Sequence, residues 1–161
     1  MLRMTKALLV ATVALWGFLG AFHNVMDWGG TLGAVGAATS MATFDGGAGS
    51  WQATSSPVVI WIGALFVTLS KVAAGAMCSI GAWRMWRARR AGAVAFVAAK
   101  EIALAGCAVA VIMLFGGFVV VAENWFELWR SDALRGPVLE SAFRYGGMIA
   151  LIALFVATKD E

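Results

Sequence analysis

The sequence predicts an all-α protein, a four-helix transmembrane bundle with both termini in the cytoplasm. Of its 161 residues, 61% are hydrophobic and only 13% are charged, which lies outside the range of soluble globular domains. The apolar residues fall into four stretches, and about 20 such residues let one helix cross a bilayer. Lys and Arg concentrate at one set of helix ends, which is typical of cytoplasmic connections. We therefore expect residues 1–161 to form a single membrane domain.

The first span is expected at residues 7–22, directly after Arg3 and Lys6. A basic start followed by an apolar run also resembles a secretory signal peptide, but this run ends without a small-x-small cleavage pattern. We therefore expect the segment to be retained as a span, with Arg3 and Lys6 on the cytoplasmic side of the membrane. His23 should then lie just beyond the far interface.

Residues 24–56 are expected to form an outer loop, because they contain seven glycines and no Lys or Arg. The part from 31 to 44 is too apolar for a solvent-exposed coil and too short to cross the bilayer. Two arrangements are open for it. It either lies on the membrane surface or tucks back between the helices.

The second span is expected at residues 57–82, opened by Pro57, a residue well suited to a helix start because it has no amide hydrogen to leave unpaired. It leads into a short inner loop that is rich in arginine and tryptophan. Arginines mark the cytoplasmic side and tryptophans sit at the headgroup level, so this loop is also a candidate contact for lipid or a partner. Its candidate residues are Trp83, Arg84, Trp86, Arg87, Arg89 and Arg90.

The third and fourth spans are expected at residues 102–122 and 138–157, separated by an outer segment. The third could begin as early as Ala93, which would place Glu101 inside it. The outer segment carries a polar cluster of Glu123, Glu127, Glu140 and Arg144. Glu140 precedes Arg144 by one helical turn, the spacing of a favourable ion pair. A solvated surface is the expected role of the cluster, with a cation site as the alternative.

Lys71 is the most informative single residue, because it lies about 18 Å from Trp83 along a helix and so near mid-bilayer. Small residues share its helix face, and such residues mark helix contacts. The matching small residues of the second and third spans are Ala64, Thr68, Gly75, Ser79 and Ala82, and Ala99, Ala103, Gly106, Cys107, Ala110 and Gly117. We expect these faces to pack together, with Glu101 as the candidate partner of Lys71. Lys71 is then either a proton or anion site, or a structural lysine.

Several chemistries are not supported by the sequence. His23 is the single histidine, too few for a two-ligand haem or a zinc site, although a pigment with one axial ligand stays possible. Cys78 and Cys107 lie in apolar runs and are expected to be buried rather than reactive. The net charge of +3 lies beside the spans, where orientation explains it, so nucleic-acid binding is not expected. We predict no metal and no cofactor.

Five segments carry a resemblance to a known family. They are Met-Leu-Arg-Met-Thr-Lys-Ala-Leu-Leu-Val at 1–10, Gly-Ala-Trp-Arg-Met-Trp-Arg-Ala-Arg-Arg at 81–90, Phe-Gly-Gly-Phe at 115–118, Trp-Phe-Glu-Leu-Trp at 125–129 and Ala-Phe-Arg at 142–144. The chain resembles, over almost its whole length, a bacterial family of predicted small integral membrane proteins of unknown function. The resemblance implies a four-helix protein of the inner membrane and implies no activity. Relatives more often have an acidic residue near Lys71 and a shorter, less charged segment than residues 130–140.

The sequence favours a protein that is not an enzyme, because conventional catalytic groups are missing. We expect an accessory or assembly subunit of a larger bacterial inner-membrane complex of respiratory or photosynthetic electron transfer. A bundle this small has more helix surface than it can bury, so its partners are expected to be the lipid bilayer and other integral subunits or copies of itself. Two alternatives are open: a small homo-oligomeric transporter or channel that uses Lys71, and a quinone- or lipid-binding membrane protein.

Overall fold

The computed structural model describes residues 1–160, and Glu161, which was expected at the inner end, lies outside the described residues. Four helices are long and apolar enough to cross a membrane: α1 (Leu2–Met26), α3 (Pro57–Ala88), α4 (Ala93–Trp125) and α5 (Arg135–Ala157). A shorter helix, α2 (Trp28–Ser40), follows α1. No strand occurs in the described part of the chain. The predicted all-α class with four transmembrane helices is therefore confirmed.

The four long helices extend beyond the predicted spans. Intrahelical hydrogen bonds stay favourable where a helix leaves the hydrocarbon, so an apolar run gives only the minimum length. Helix α3 continues through Ala88, so Trp83, Arg84, Trp86 and Arg87, which were expected in a loop, form its last turns, whereas Arg89 and Arg90 follow it. The connection to α4 is only residues 89–92. Helix α4 begins at Ala93, the earlier of the two starts that the sequence allowed.

Helix α3 lies at the centre, in contact with α1 on one side and α4 on the other. A Cβ atom on Gly17 would lie 2.7 Å from the carbonyl oxygen of Lys71 and 2.9 Å from the amide nitrogen of Gly75, so the backbones of α1 and α3 touch. On the other side, a Cβ on Gly81 would lie 2.6 Å from the Cα of Ala103. Close packing of α3 on α4 therefore occurs as predicted, but Gly81 and Cys78 form the α3 side of it. The predicted α3 face was wrong in part, because Gly75 and Lys71 contact α1 instead.

Helix α2 explains part of the segment that was expected to be a loop. The carboxylate of Asp27 accepts from the amide of Gly30 at 3.0 Å and caps the start of the helix. Helix α2 packs against the first turns of α3, where Trp28 and Trp61 have ring centroids 5.4 Å apart. A Cβ on Gly63 would lie 2.8 Å from Cγ1 of Val35. Of the two arrangements considered, this segment tucks back against the bundle.

The bundle has two chemically different ends. We call the end that contains the start of α1, the end of α3 and the end of α5 the basic end, because Arg3, Arg89, Arg90 and Lys159 lie there. The other end contains α2 and the connection between α4 and α5, around residue 128. Towards this second end α4 changes from α-helical to π-helical hydrogen bonding at Ile112. The wider turn and the altered register of side chains shape a cavity there.

Candidate functional site

Lys71 anchors a small polar network inside the bundle. Its Nζ donates to Oδ1 of Asn24 at 3.2 Å, and Nδ2 of Asn24 donates to the Thr68 hydroxyl at 3.2 Å. The backbone oxygen of Asn24 accepts from the hydroxyl of Thr31 at 3.1 Å. The network joins α1, α2 and α3. An amide is a suitable partner here, because it accepts from the ammonium group and donates to a hydroxyl at the same time.

A cavity of about 730 Å³ opens beside this network. We call it the Lys71 cavity. Its walls come from the end of α1, from α2, from the first half of α3 and from the π-helical part of α4. They are mostly apolar and include Val35, Ile62, Phe66, Ile112 and Val121. Its polar lining residues are Lys71, Asn24, Asp27, Thr31, His23 and Thr39.

The Lys71 cavity has the composition of a site for an amphipathic molecule. Ligand pockets are mostly apolar and contain few polar groups, which fix the ligand's orientation. An ammonium group has three donors, and Asn24 accepts from it at 3.2 Å. The arrangement can therefore hold a molecule that has a hydrogen-bond acceptor at one end and an apolar body. Close packing by Gly20, whose Cβ would lie 3.2 Å from Cδ of Lys71, fixes the lysine stem.

The expected pairing of Lys71 with Glu101 is wrong. Gly81 packs on Ala103, so Glu101 lies near the level of Trp83 at the basic end. Lys71 is ten residues from Gly81, or about 15 Å along α3. Glu101 is exposed on the side of α4 away from α3. Asn24 takes the place of the acid, because α1 runs past residue 22 and carries its amide to Lys71.

His23 and the two cysteines lie at positions that fit structural roles. His23 is an exposed residue at the margin of the Lys71 cavity. Cys78 and Cys107 are buried in the contact between α3 and α4, with their sulfur atoms 4.0 Å apart. Among residues 1–160, no group of three or more His, Cys, Asp or Glu side chains could hold a metal ion.

The polar cluster predicted at the second end does not assemble as one unit. Glu127 binds Arg130 at 2.8 Å rather than sharing a helix face with Glu123, because α4 ends at Trp125. Arg130 also lies over the Phe44 ring, 4.7 Å from its centroid. Arg144 donates to the hydroxyl of Ser141 at 3.1 Å. The expected Glu140–Arg144 ion pair does not occur within the described residues.

A second polar cluster, which the sequence did not predict, lies at the basic end. Asp160 forms ion pairs with Lys6 of α1, at 2.9 Å, and with Lys100 of α4. Both lysines also donate to the carbonyl oxygen of Thr158 at 2.8 Å. The side chains of Lys6, Lys100 and Asp160 are at most 4% exposed. We call these three residues the Asp160 triad.

The Asp160 triad holds its carboxyl group in the charged form. Burial acts to raise the pKa of Asp160, but hydrogen bonds and charges from Lys100 and Lys6 outweigh burial and hold that pKa below its usual range. One signal for the triad was present in the sequence: both lysines lie near the predicted inner ends of spans. Their common partner was not visible, because it lies 60 and 154 residues away along the chain.

Next to the triad is a cavity of about 760 Å³, which we call the basic cavity. Arg3, Arg89, Arg90 and Lys159 line it, together with Trp86. Two of the arginines are held by the fold. Arg3 donates to the carbonyl oxygen of Ala91 at 2.6 Å, and Arg89 lies over the Trp86 ring, 4.7 Å from its centroid. The other two arginines of the motif, Arg84 and Arg87, do not line this cavity, and Arg87 lies over the ring of Trp83.

Comparison with known proteins matches the chain to a family model. The model, described as "Predicted small integral membrane protein (DUF2165)", matches residues 2–159. No curated protein and no solved structure matches the chain.

Proposed function

Because the chain belongs to the family of predicted small integral membrane proteins, we propose that it is a non-catalytic accessory or assembly subunit of a larger membrane complex. The complex belongs to respiratory or photosynthetic electron transfer in a bacterial inner membrane. The basic end faces the cytoplasm, in keeping with the excess of Lys and Arg on that side of membrane proteins.

The uncovered face of α4 supports this role. Ala98, Ala105 and Ala108 recur every three to seven residues, so they share one side of the helix, and all three are exposed. Lipid chains pack as well on large side chains as on small ones, whereas small residues let a second helix approach closely. Glu101 lies on the same side and offers a polar contact. This face is suited to a partner helix.

Solubilisation in mild detergent tests the role. The chain has a mass of 16.9 kDa, and it is expected to elute with partners in a larger particle. Ala105→Phe combined with Ala108→Phe should reduce co-purification of those partners by about tenfold, because the bulky rings keep a partner helix away. Leu69→Phe, on an exposed site of α3, is the matched control and should leave the particle intact. A stable lone monomer, with no partner captured by cross-linking in native membranes, would overturn the proposal.

A second candidate function is the binding of a quinone or a lipid, and the Lys71 cavity favours it. A quinone oxygen or a lipid headgroup would accept a hydrogen bond from Lys71, and an isoprenoid or acyl chain would contact Phe66 and Ile112. Extraction of the purified protein with organic solvent, followed by mass spectrometry, should release such a molecule from the wild type. Lys71→Met should lose most of it, whereas Arg84→Met, an exposed residue that lines neither cavity, should retain it. Equal yields from both variants would exclude this site.

The transporter or channel alternative makes a different prediction at the same residue. If Lys71 lines a path, a reconstituted homo-oligomer should show a substrate-dependent flux that Lys71→Ala abolishes. If Lys71 orients a static ligand, vesicles with and without the protein should show the same flux. Flux measurements in vesicles therefore distinguish a transporter or channel from an accessory subunit and from a quinone- or lipid-binding protein.

A further inference from the structure

The basic cavity combines a concentration of positive charge with an acid that is already neutralised. Arg3, Arg89, Arg90 and Lys159 line it, and Asp160 is the one acidic residue among its described lining residues. Asp160 is paired with two lysines, Lys6 and Lys100. The triad therefore carries a net positive charge, and its carboxylate does not cancel the charges of Arg89, Arg90 and Lys159. These cations attract an anion that enters the cavity.

The cavity is also partly organised before any ligand arrives. The guanidinium of Arg3 is held by the Ala91 carbonyl and lies over the ring of Phe96, 5.0 Å from its centroid. Arg89 is held by its hydrogen bond to the Trp86 carbonyl at 2.6 Å and by stacking on the Trp86 ring. Side chains fixed in advance lose less conformational freedom when they bind. Guanidinium groups match the oxygen geometry of phosphate in particular.

The position of the cavity favours the phosphate of a lipid over inorganic phosphate from solution. Trp86 lies in its wall, and tryptophans of membrane proteins sit at the level of the headgroups. Leu2 and Met4 also line the cavity and are 50% and 40% exposed. They offer an apolar surface that the glycerol and acyl parts of a lipid would cover. Phosphate dissolved in water has no part that would use this surface.

We propose that the basic cavity binds the phosphate of an anionic phospholipid headgroup. Arg90, from the connection between α3 and α4, and Lys159, from just beyond the end of α5, contact the phosphate oxygens together with the fixed guanidinium group of Arg89, and Arg3 shapes the site. Arg84 and Arg87 take no part, although they belong to the same sequence motif. The site lies at the other end of the bundle from the Lys71 cavity and does not depend on the function proposed above.

Native mass spectrometry of the full chain in a neutral detergent tests the site, because no charged leaflet is then present. Phosphatidylglycerol is expected to bind. Arg90→Gln combined with Lys159→Gln should weaken it about 30-fold, since each basic contact contributes about 1 kcal/mol. Arg84→Gln combined with Arg87→Gln removes the same charge from the same end and should change the affinity less than about threefold. Thermal unfolding without lipid checks that both variants fold.

Two further ligands and one further variant complete the test. Phosphatidylcholine, which has no net charge, should bind at least about tenfold more weakly, and inorganic phosphate should neither bind tightly nor displace the lipid. A charge-preserving variant, Arg90→Lys with Lys159→Arg, should retain binding and so separates charge from folding effects. Equal losses in the two glutamine variants, equal affinity for phosphatidylcholine, or displacement by inorganic phosphate would each overturn the proposal.

Discussion

Asp160 joins three parts of the chain through one carboxylate, and this makes it the residue whose loss is easiest to predict. Lys6 and Lys100 approach it from α1 and α4. Asp160→Asn would remove the negative charge and leave two buried ammonium groups with one amide oxygen and the Thr158 carbonyl as acceptors. Loss of charge-assisted hydrogen bonds of this kind costs about 2 kcal/mol. Denaturant unfolding in detergent should show that loss, whereas the exposed Asp45→Asn should change stability by less than about 0.5 kcal/mol.

The same residue gives a pH dependence with a defined sign. The pKa of Asp160 is lower in the folded protein than its usual value, so its stabilisation is complete above the unfolded value of about 3.9. It is lost as the pH falls through the lower, folded value. The stability difference between wild type and Asp160→Asn should therefore stay constant from about pH 8 to about pH 5 and shrink below about pH 3.9. A difference that disappears near neutral pH would contradict this account.

Lys71 and Asn24 should behave as an energetic pair. Asn24→Leu removes the acceptor at 3.2 Å from Nζ, and Lys71→Met removes the ammonium group that donates to it. The double variant should therefore be less destabilised than the sum of the single variants, by about 1 kcal/mol. Glu101→Gln, combined with Lys71→Met in the same unfolding measurements, should show no coupling. Coupling of Lys71 to Glu101 instead of Asn24 would contradict this account and support the Lys71–Glu101 pairing that the sequence suggested.

At the scale of the elements, close contact between backbones sets the packing of α1 on α3. Gly17→Ala would place a Cβ 2.7 Å from the Lys71 oxygen, a backbone atom that cannot rotate away. The helices must separate, at a cost of about 1–3 kcal/mol. Gly147→Ala in α5 meets nothing within 4 Å and gains up to about 1 kcal/mol in helix propensity. Thermal unfolding should rank Gly147→Ala above wild type and Gly17→Ala below it.

The long helices could be predicted from the sequence because hydrophobicity alone specifies a membrane span. The close packing of α3 on α4 could be predicted because small residues repeat at helical spacing, but the predicted α3 face was wrong in part, because Gly75 and Lys71 contact α1. Helix α2 could not, because glycine lowers helix propensity and four of its thirteen residues are glycine. Packing on α3 and the Asp27 cap stabilise it, and neither is visible from local composition. The partner of Lys71 was missed for a similar reason, since the apolar run ends before Asn24.

At the scale of the whole molecule, the direction of insertion is the main remaining prediction. In a Cys78→Ala, Cys107→Ala background, single cysteines at Gly49 and Gly92 report on the two ends, since both sites are exposed and open. With the basic end in the cytoplasm, a membrane-impermeant maleimide added outside should label Gly49→Cys. Gly92→Cys should react only after the membrane is permeabilised. The reverse pattern would place the basic end outside.

The Asp160 triad has a consequence for the order in which the bundle assembles. A ribosome makes Lys6 and Lys100 before it makes Asp160, so neither lysine can pair with the acid until the end of the chain has been synthesised. Until then, both ammonium groups remain at the headgroup level, where water and lipid phosphates solvate them. Bonding to Asp160 and the Thr158 carbonyl replaces that solvation and draws α1, α4 and the end of α5 together. Formation of the triad is thus a late step of assembly, because it requires a residue beyond the last helix.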